Sequence, residues 1–377
     1  MNRRRLAVLA TIALLGLAVV TSGDALFAFS GQFDRFRLPT VRLPGRALVL
    51  ICAGVAAVAA VVGRRWSALV GLTALVVGFI GWAAAGSVLP FLVGNQVAGS
   101  VAYATPLVLG GLGGLLCERA GVVNISIEGQ FLLAAFASTI VASVTGVLAF
   151  GLLAGVLAGL VMAALLAFFS IQALVGQVML GIVLNLLAVG LTGFWSAQIM
   201  VPQPLVFNSA PVMNRWLLAG LAAASVPVVW LLLFRTKWGL RVRAVGEHPP
   251  AVASAGLDVR RLRWQAVLVG GAFAGLGGCF FTLATVGQFS RNITSGYGFI
   301  ALAALIMGRW QPGRVALMAL GFGFVMQLAG QTQTLGTPVN SQLLLILPYV
   351  ATIVAVAGVV GRVRAPAASG QNYQAEQ

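Results

Sequence analysis

Charge is what this sequence has least of: across 377 residues only 8% are Asp, Glu, Lys or Arg, against roughly a quarter in an ordinary soluble protein. With 60% of the chain hydrophobic, that scarcity excludes a soluble multidomain enzyme. Lysine is rarer still. The one lysine, Lys237, sits in Thr236-Lys237-Trp238, so no phosphate-binding loop of the form GxxxxGK[ST] exists and any ATP hydrolysis belongs to another polypeptide. A single histidine, His248, and three cysteines, Cys52, Cys117 and Cys279, show no metal-ligand spacing. No metal, haem or disulfide framework is expected. Paired carboxylates and a Ser/Lys dyad are also missing from the apolar stretches, which argues against an intramembrane enzyme or scaffold.

What the sequence has instead is long apolar runs. Mean hydropathy is +1.02, and about twelve runs, many near the 20-residue length a bilayer demands, recur from Leu6 to Val360. Runs such as Val147 to Phe169 are apolar on every side, whereas barrel strands alternate. The expected fold is therefore all-α, a polytopic transmembrane helical bundle of about 10–12 spans, with lipid as the helix solvent. The formal charge of +16 sits in the loops and reads as topology, with no nucleic-acid partner. Placing Arg3 to Arg5, Arg64-Arg65, Arg119, the stretch from Arg235 to Arg263, Arg309 with Arg314, and Arg362 with Arg364 on one side makes both termini cytoplasmic. Segment 31–46, with Arg35, Arg37, Arg42 and Arg46, is the exception; it reads as an interfacial amphipathic piece. Arg3-Arg4-Arg5 before Leu6 to Val20 reads as an uncleaved first helix rather than a signal peptide.

Three regions are expected. Residues 1–95 form an N-terminal extension of about three simple Ala/Val/Leu helices, residues 96–364 the core, and residues 365–377 a polar disordered tail. Glycine, at 47 residues, clusters as small-xxx-small faces, Gly151, Gly155 and Gly159 on one helix and Gly271 with Gly275 on another. Such faces let helices approach closely in lipid and are not nucleotide fingerprints.

The polar, chemistry-capable positions lie in the core. Asn124-Ile125-Ser126-Ile127-Glu128-Gly129-Gln130-Phe131 and Asn292-Ile293-Thr294-Ser295-Gly296-Tyr297-Gly298-Phe299 share Asn, Ile, a hydroxyl and Phe at the same offsets. In the assigned topology one enters from each side of the membrane, as a pseudo-twofold inverted repeat requires, and such broken helix starts commonly line transport pathways. Glu128 is the acid expected at membrane depth, where an ionised carboxylate needs a partner or a wet cavity. Two readings stand: a pathway or gate residue, or a structural carboxylate accepting backbone N–H bonds or pairing with Arg119. Asn124, Gln130, Gln177, Asn185, Asn292 and Tyr297 complete the candidate substrate pathway, while Gln172, and Gln327, Gln331, Gln333 and Asn340 near the last loop, read equally as interhelical hydrogen-bond glue.

The longest polar loop, Trp238 to Val259, is compact. Pro249-Pro250 suit a helix start, Ala251 to Ala255 tolerate helix, and Gly256 suits a left-handed cap. A helix this short is marginal alone and is stabilised by docking. Arg241, Arg243, Glu247, Asp258, Arg260 and Arg261 surround it with charges of both signs, as a protein contact surface does.

Three motifs together resemble the permease subunits of bacterial ABC importers for simple sugars and nucleosides, a branch of the branched-chain amino acid type permeases. They are Glu118-Arg119-Ala120-Gly121-Val122-Val123-Asn124-Ile125-Ser126-Ile127-Glu128-Gly129-Gln130, Gly239-Leu240-Arg241-Val242-Arg243-Ala244-Val245-Gly246-Glu247-His248-Pro249, and Gly296-Tyr297-Gly298-Phe299-Ile300-Ala301 with Gly308-Arg309-Trp310. The resemblance covers residues 97 to 361 and is nearest the nucleoside-type branch. It implies that the Gly239–Asp258 loop is a coupling helix seated in a groove of an ATPase, with Arg241, Arg243, Gly246, Glu247, Pro249, Ala253, Gly256 and Asp258 as coupling residues. It also implies ABC ATPase subunits, a second permease subunit of a different sequence, an extracellular solute-binding lipoprotein, no cofactor in this chain, and residence in the bacterial cytoplasmic membrane. His248 and Pro250 stand where that family more often has Asn and a basic or polar residue. The expected function is ATP-driven import of a nucleoside or simple sugar by alternating access. The alternative is a secondary ion-coupled carrier, disfavoured because Glu128 alone could serve ion coupling.

Overall fold

The computed structural model describes residues 3–29, 39–63, 66–337, 346 and 365–374. The apolar run 342–361, Asn340, Arg35, Arg37, Arg64-Arg65, Arg362 and Arg364 lie outside the described residues. Those described form two compact units, one drawn from Met1–Ser100 and Phe324–Val359, the other from Val101–Gly323 and Val360–Gln377.

In the first unit the helices are α1 (Arg3–Val20), α2 (Gly45–Val62) and α3 (Ser67–Ala84), which pack on one another through alanine and glycine. Ala10, Leu14, Ala18, Val49, Cys52, Ala53, Ala56 and Ala74 make its buried centre. Short strands β1 (Asp24–Ala28), β2 (Val41–Pro44) and β3 (Phe91–Leu92) form a small sheet in the order β2-β1-β3. β1 runs antiparallel to β2, with Leu26 opposite Arg42, and parallel to β3, with Phe27 opposite Phe91. Within the segment read as an interfacial amphipathic piece at 31–46, Val41 to Pro44 are a strand, and Pro44 adopts an extended φ of −62° and ψ of 112° before α2 begins. Of the amides near the last loop, Gln331 joins separate segments of this unit, as Gln96 also does. Gln331 Nε2 donates to Leu92 O at 3.1 Å, and Gln96 Nε2 to Phe324 O at 2.9 Å.

The second unit takes in most of α4 (Val93–Arg119), then α5 (Ile127–Thr145), α6 (Leu148–Ala167), α7 (Gln177–Trp195), the single turn α8 (Pro204–Phe207) and α9 (Arg215–Arg235). Two amphipolar helices, α10 (Lys237–Glu247) and α11 (Pro249–Ser254), follow. Then come α12 (Val259–Gly278), the turn α13 (Phe280–Leu283), the short α14 (Tyr297–Met307) and α15 (Pro312–Thr334), of which residues 312–323 belong to this unit and the rest to the first. π-helical turns extend α6 over Phe168–Gln172 and α7 over Ser196–Met200.

The two glycine faces meet each other. A Cβ on Gly159 of α6 would lie 2.4 Å from Gly271 O of α12, and one on Gly275 would lie 2.6 Å from Gly155 O. Two backbones in near contact collect dispersion energy that bulkier side chains would forfeit. Around this seam Leu107, Leu112, Leu116, Phe131, Met162 and Leu166 are fully buried.

Among the described residues nine helices are long and apolar enough to cross a membrane, so the all-α polytopic expectation holds. α14 is different. At 11 residues it reaches about 16 Å, half the hydrocarbon thickness, so the run read as a full span near 296–308 is a half-span helix.

The α6–α12 seam yields a test: Gly275→Val forces a branched side chain against Gly155 O and Val156 Cα and should cost about 1–3 kcal/mol. It should lower the thermal unfolding midpoint in detergent, and an unchanged midpoint would contradict the seam.

Candidate functional site

α4 ends at Arg119 because the chain turns sharply there. Gly121 has φ +84°, and Ala120 N and Val122 N both donate back to Cys117 O at 3.0 Å. Between this turn and α5 the backbone is not helical, so its polar groups need partners other than the helix ladder. Side-chain amides supply them. Gln177 Oε1 accepts from Val123 N at 2.7 Å; Asn185 Oδ1 accepts from Gly129 N at 2.8 Å while its Nδ2 donates to Ile125 O at 3.0 Å. Asn124 Oδ1 accepts from Ser126 N at 3.1 Å and from Ser126 Oγ at 2.8 Å, and its Nδ2 donates to Gln130 Oε1 at 3.2 Å. All four amide side chains are buried.

Glu128, in the first turn of α5 and buried, reaches across to the other motif. Its Oε1 accepts from Thr294 Oγ1 at 2.6 Å and Gly296 N at 2.8 Å, and its Oε2 from Gly298 N at 2.6 Å. The carboxylate thus sits on the start of α14, where free amide N–H groups and the helix dipole favour negative charge. The approach requires glycine: a Cβ on Gly298 would lie 2.4 Å from Glu128 N. The segment before α14 is coiled tightly, with φ of +56° at Asn292, +43° at Ser295 and +85° at Gly296, and holding two non-glycine residues there costs energy that the surrounding hydrogen bonds must outweigh. Glu128 does not pair with Arg119, whose Nη2 donates to Trp310 O at 2.8 Å.

The structure therefore brings Asn124, Glu128, Gln130, Gln177 and Asn185 together around the first motif and joins that motif to the second. Asn292 is exposed beyond the junction, and Tyr297 is half-buried, its ring edge-on to Phe281 at 5.1 Å and tilted against Tyr103 at 6.4 Å.

α14 leads from this junction to a second cluster. Trp310 Nε1 donates to Glu118 Oε2 at 2.5 Å, and Arg309 and Trp310 take φ of +54° and +51°. The 11 residues of α14 put about 16 Å of helix rise between the Glu128 junction and the Glu118–Trp310 contact. The Glu118–Trp310 contact has no signal in composition or periodicity, although both residues belong to the motifs that carry the family resemblance.

At the same end lie α10 and α11. Gly246 of α10 is buried against Arg119 O, 2.2 Å from where its Cβ would stand, and the guanidinium of Arg243 lies 4.8 Å from the Phe234 ring centre. So the Arg119, Arg235–Arg263 and Arg309 loops share one end, as the charge pattern predicts. α11 forms as expected from its ends. His248 Nδ1 accepts from Ala251 N at 3.1 Å, Pro249 and Pro250 occupy the first turn, and Gly256 closes it at φ +77°. Pro249 and Val252 point inward, where Val252 joins Val245, Val259 and Leu262, with Ala253 and Leu257 packed alongside. Pro250, Ala251, Ser254, Ala255 and Gly256 face outward. Of the expected coupling residues, Arg241, Glu247, Gly256 and Asp258 are exposed; Gly246 and Pro249 are buried, and Arg243 and Ala253 are half-buried. The side chain of Asp258 accepts from Arg261 N at 3.0 Å and caps α12.

A family model described as the permease component of branched-chain amino acid transport systems matches residues 96–357. The chain belongs to this permease family. The guanosine ABC transporter permease protein NupQ of Bacillus subtilis (strain 168) is 35% identical over 304 residues, 74% of this chain and 95% of that protein. The nucleoside ABC transporter permease protein NupC of Lactococcus lactis subsp. cremoris (strain MG1363) is 34% identical over 305 residues, covering 74% and 96%. The putative glucose ABC transporter permease protein TsgC13 of Haloferax volcanii is 34% identical over 319 residues, covering 74% and 96%. No solved structure matches. The protein is a multi-pass ABC importer permease subunit whose ATPase is a separate subunit, and the ion-coupled carrier reading is set aside.

For the permease, Glu128→Ala would strand the Thr294 hydroxyl and two glycine amides, a loss of about 3 kcal/mol. Amide hydrogen exchange at Gly296 and Gly298 should accelerate in that variant and less so in Glu128→Gln. Unchanged exchange in both would show that the carboxylate does not hold α14.

Proposed function

We propose that the permease forms the translocation pathway for a nucleoside in the bacterial cytoplasmic membrane, with both termini cytoplasmic, and works by alternating access. The observation that carries the ATP-driven part is α11: a short, doubly capped helix with its inner face in a hydrophobic cluster and its outer face of small side chains exposed. A six-residue helix has little stability of its own, and a flat outer face of Ala251, Ser254, Ala255 and Gly256 fits a groove. ABC ATPase subunits would seat there, with Arg241, Glu247 and Asp258 at the rim. Family membership supports ATPase subunits and an extracellular solute-binding lipoprotein as partners, and we place a second permease chain of different sequence beside this one. Residues 1–95 act as a separate N-terminal extension of the 96–364 transport core.

The solute would pass beside the junction of the two motifs. Asn292 and Tyr297 offer polar and aromatic edges there, while Glu128, Asn124, Gln130, Gln177 and Asn185 hold the frame. The inverted-repeat relation of these motifs belongs to the same proposal. Two relatives at 34–35% identity are named for guanosine or nucleosides and one for glucose, which favours a nucleoside over a hexose. Selectivity would rest mainly with the binding protein.

Two measurements test this reading. Vesicles carrying the full transporter should accumulate labelled guanosine with ATP and not with an ion gradient alone; uptake driven by the gradient without ATP would refute it. Ala255→Asp, on the exposed outer face of α11, should abolish transport-linked ATP hydrolysis with membrane insertion intact, and normal stimulation would refute the docking of α11.

A further inference from the structure

Residues 365–374, in the tail read as polar, pack within the second unit. Pro366 and Ala368 are buried, and the segment turns on itself through Ser369 N to Pro366 O at 3.0 Å and Gln371 N to Ala368 O at 3.2 Å. Its hydrogen bonds reach four separate parts of the transport core. Ala368 N donates to Gly246 O at 2.9 Å, and Ala367 N to Glu247 Oε2 at 3.3 Å, both at the end of α10. Gly370 N donates to Gly121 O at 3.2 Å, in the turn after α4. Arg263 Nη1, on α12, donates to Gln371 O at 3.0 Å. Asn372 Nδ2 bonds Leu174 O beyond α6. Tyr373 then packs onto the cluster of Val245, Val252, Val259 and Leu262 that supports α11.

Two features argue that this seating has a use. First, Arg263 is 1% exposed, and a buried guanidinium needs acceptors; the Gln371 carbonyl in this segment supplies one. Its Nε and Nη2 find no hydrogen-bond partner among the described residues, so the arginine's position depends heavily on the segment. Second, Gly121 and Gly246 are the points where α10 presses on the end of α4: Gly246 meets Arg119 O, and Gly121 lies 3.0 Å, Cβ to Nη2, from Arg263. The segment bonds to both glycines. It therefore joins the support of α11 to the α4 turn that leads directly into the Asn124–Glu128 motif.

We propose that residues 366–373 are a positioning strap that makes α10, α11, the α4 turn and α12 move as one body, so that displacement of α11 reaches the transport motifs. This rests on the reading of α11 as the ATPase contact. Tyr373 and Arg263 are positioning residues: neither touches the proposed solute path. Without the strap α11 would still seat on its partner, but its motion would be absorbed locally, and ATP would be hydrolysed without matching transport.

The test uses the full transporter reconstituted with its ATPase subunits and binding protein, and reads the ATP hydrolysed per guanosine imported. Tyr373→Ala and deletion of 365–377 should each raise that ratio at least threefold at unchanged assembly with the ATPase, and Tyr373→Phe, which keeps the apolar ring, should restore it. An unchanged ratio in Tyr373→Ala overturns the strap, whether or not the deletion assembles. A wild-type transporter showing no ATP-coupled uptake at all would instead overturn the underlying reading of α11.

Discussion

A carboxylate in a hydrocarbon layer and the bare amides of a helix start are each costly alone, and in this protein each is satisfied by the other. Glu128 receives a hydroxyl and two backbone N–H groups from the segment that begins α14, so this short helix begins without stranding those donors. The rest of the core is arranged to permit that meeting. α4 stops at Arg119, Gly121 turns the chain, and four buried amides hold the non-helical climb to α5. Gly298 lets the two backbones close.

The same economy explains the small residues. Helices in lipid gain nothing by hiding apolar surface from one another, so they associate through close backbone contact and hydrogen bonds. The α6–α12 seam provides the first and the motif junction the second. What results is a rigid pair of broken helix starts linked, through about 16 Å of α14, to the Glu118–Trp310 contact and the Arg119–Gly246 contact at the end where α10 and α11 lie. The geometry makes a short mechanical line from an exposed helix to the membrane interior, which is what a permease driven by an external ATPase requires.

Much of this was legible in the sequence because the signals were strong and local. Apolar runs require membrane helices, Pro249-Pro250 and Gly256 bracket α11, and glycine spacing marks two close-packing faces, although not that they pair as the α6–α12 seam. The likeness of the 124–131 and 292–299 segments points to two helix starts but not to their direct contact, since pairing Glu128 with Gly298 depends on tertiary folding. Glu128 itself was left between two roles, and the frame of backbone donors around it favours the structural one. The β1–β3 sheet was missed because strands of two to five residues leave no periodicity, and the seating of 365–374 because a polar composition hides a few well-placed backbone bonds and one tyrosine. Arg243 and Gly246, expected among the coupling residues, pack against Phe234 and Arg119.

The central claim is that α11 is gripped by a separate ATPase. Cys52, Cys117 and Cys279 are all buried, so a cysteine introduced at exposed Ala255 would be the reactive thiol presented to solvent by the described residues. Treating the assembled transporter with a short bifunctional thiol reagent, with a cysteine lining the ATPase groove, should give a permease–ATPase conjugate whose yield changes with bound nucleotide. Absence of the conjugate in every nucleotide state, with the Ala255→Cys thiol freely labelled by a water-soluble reagent, would contradict the account.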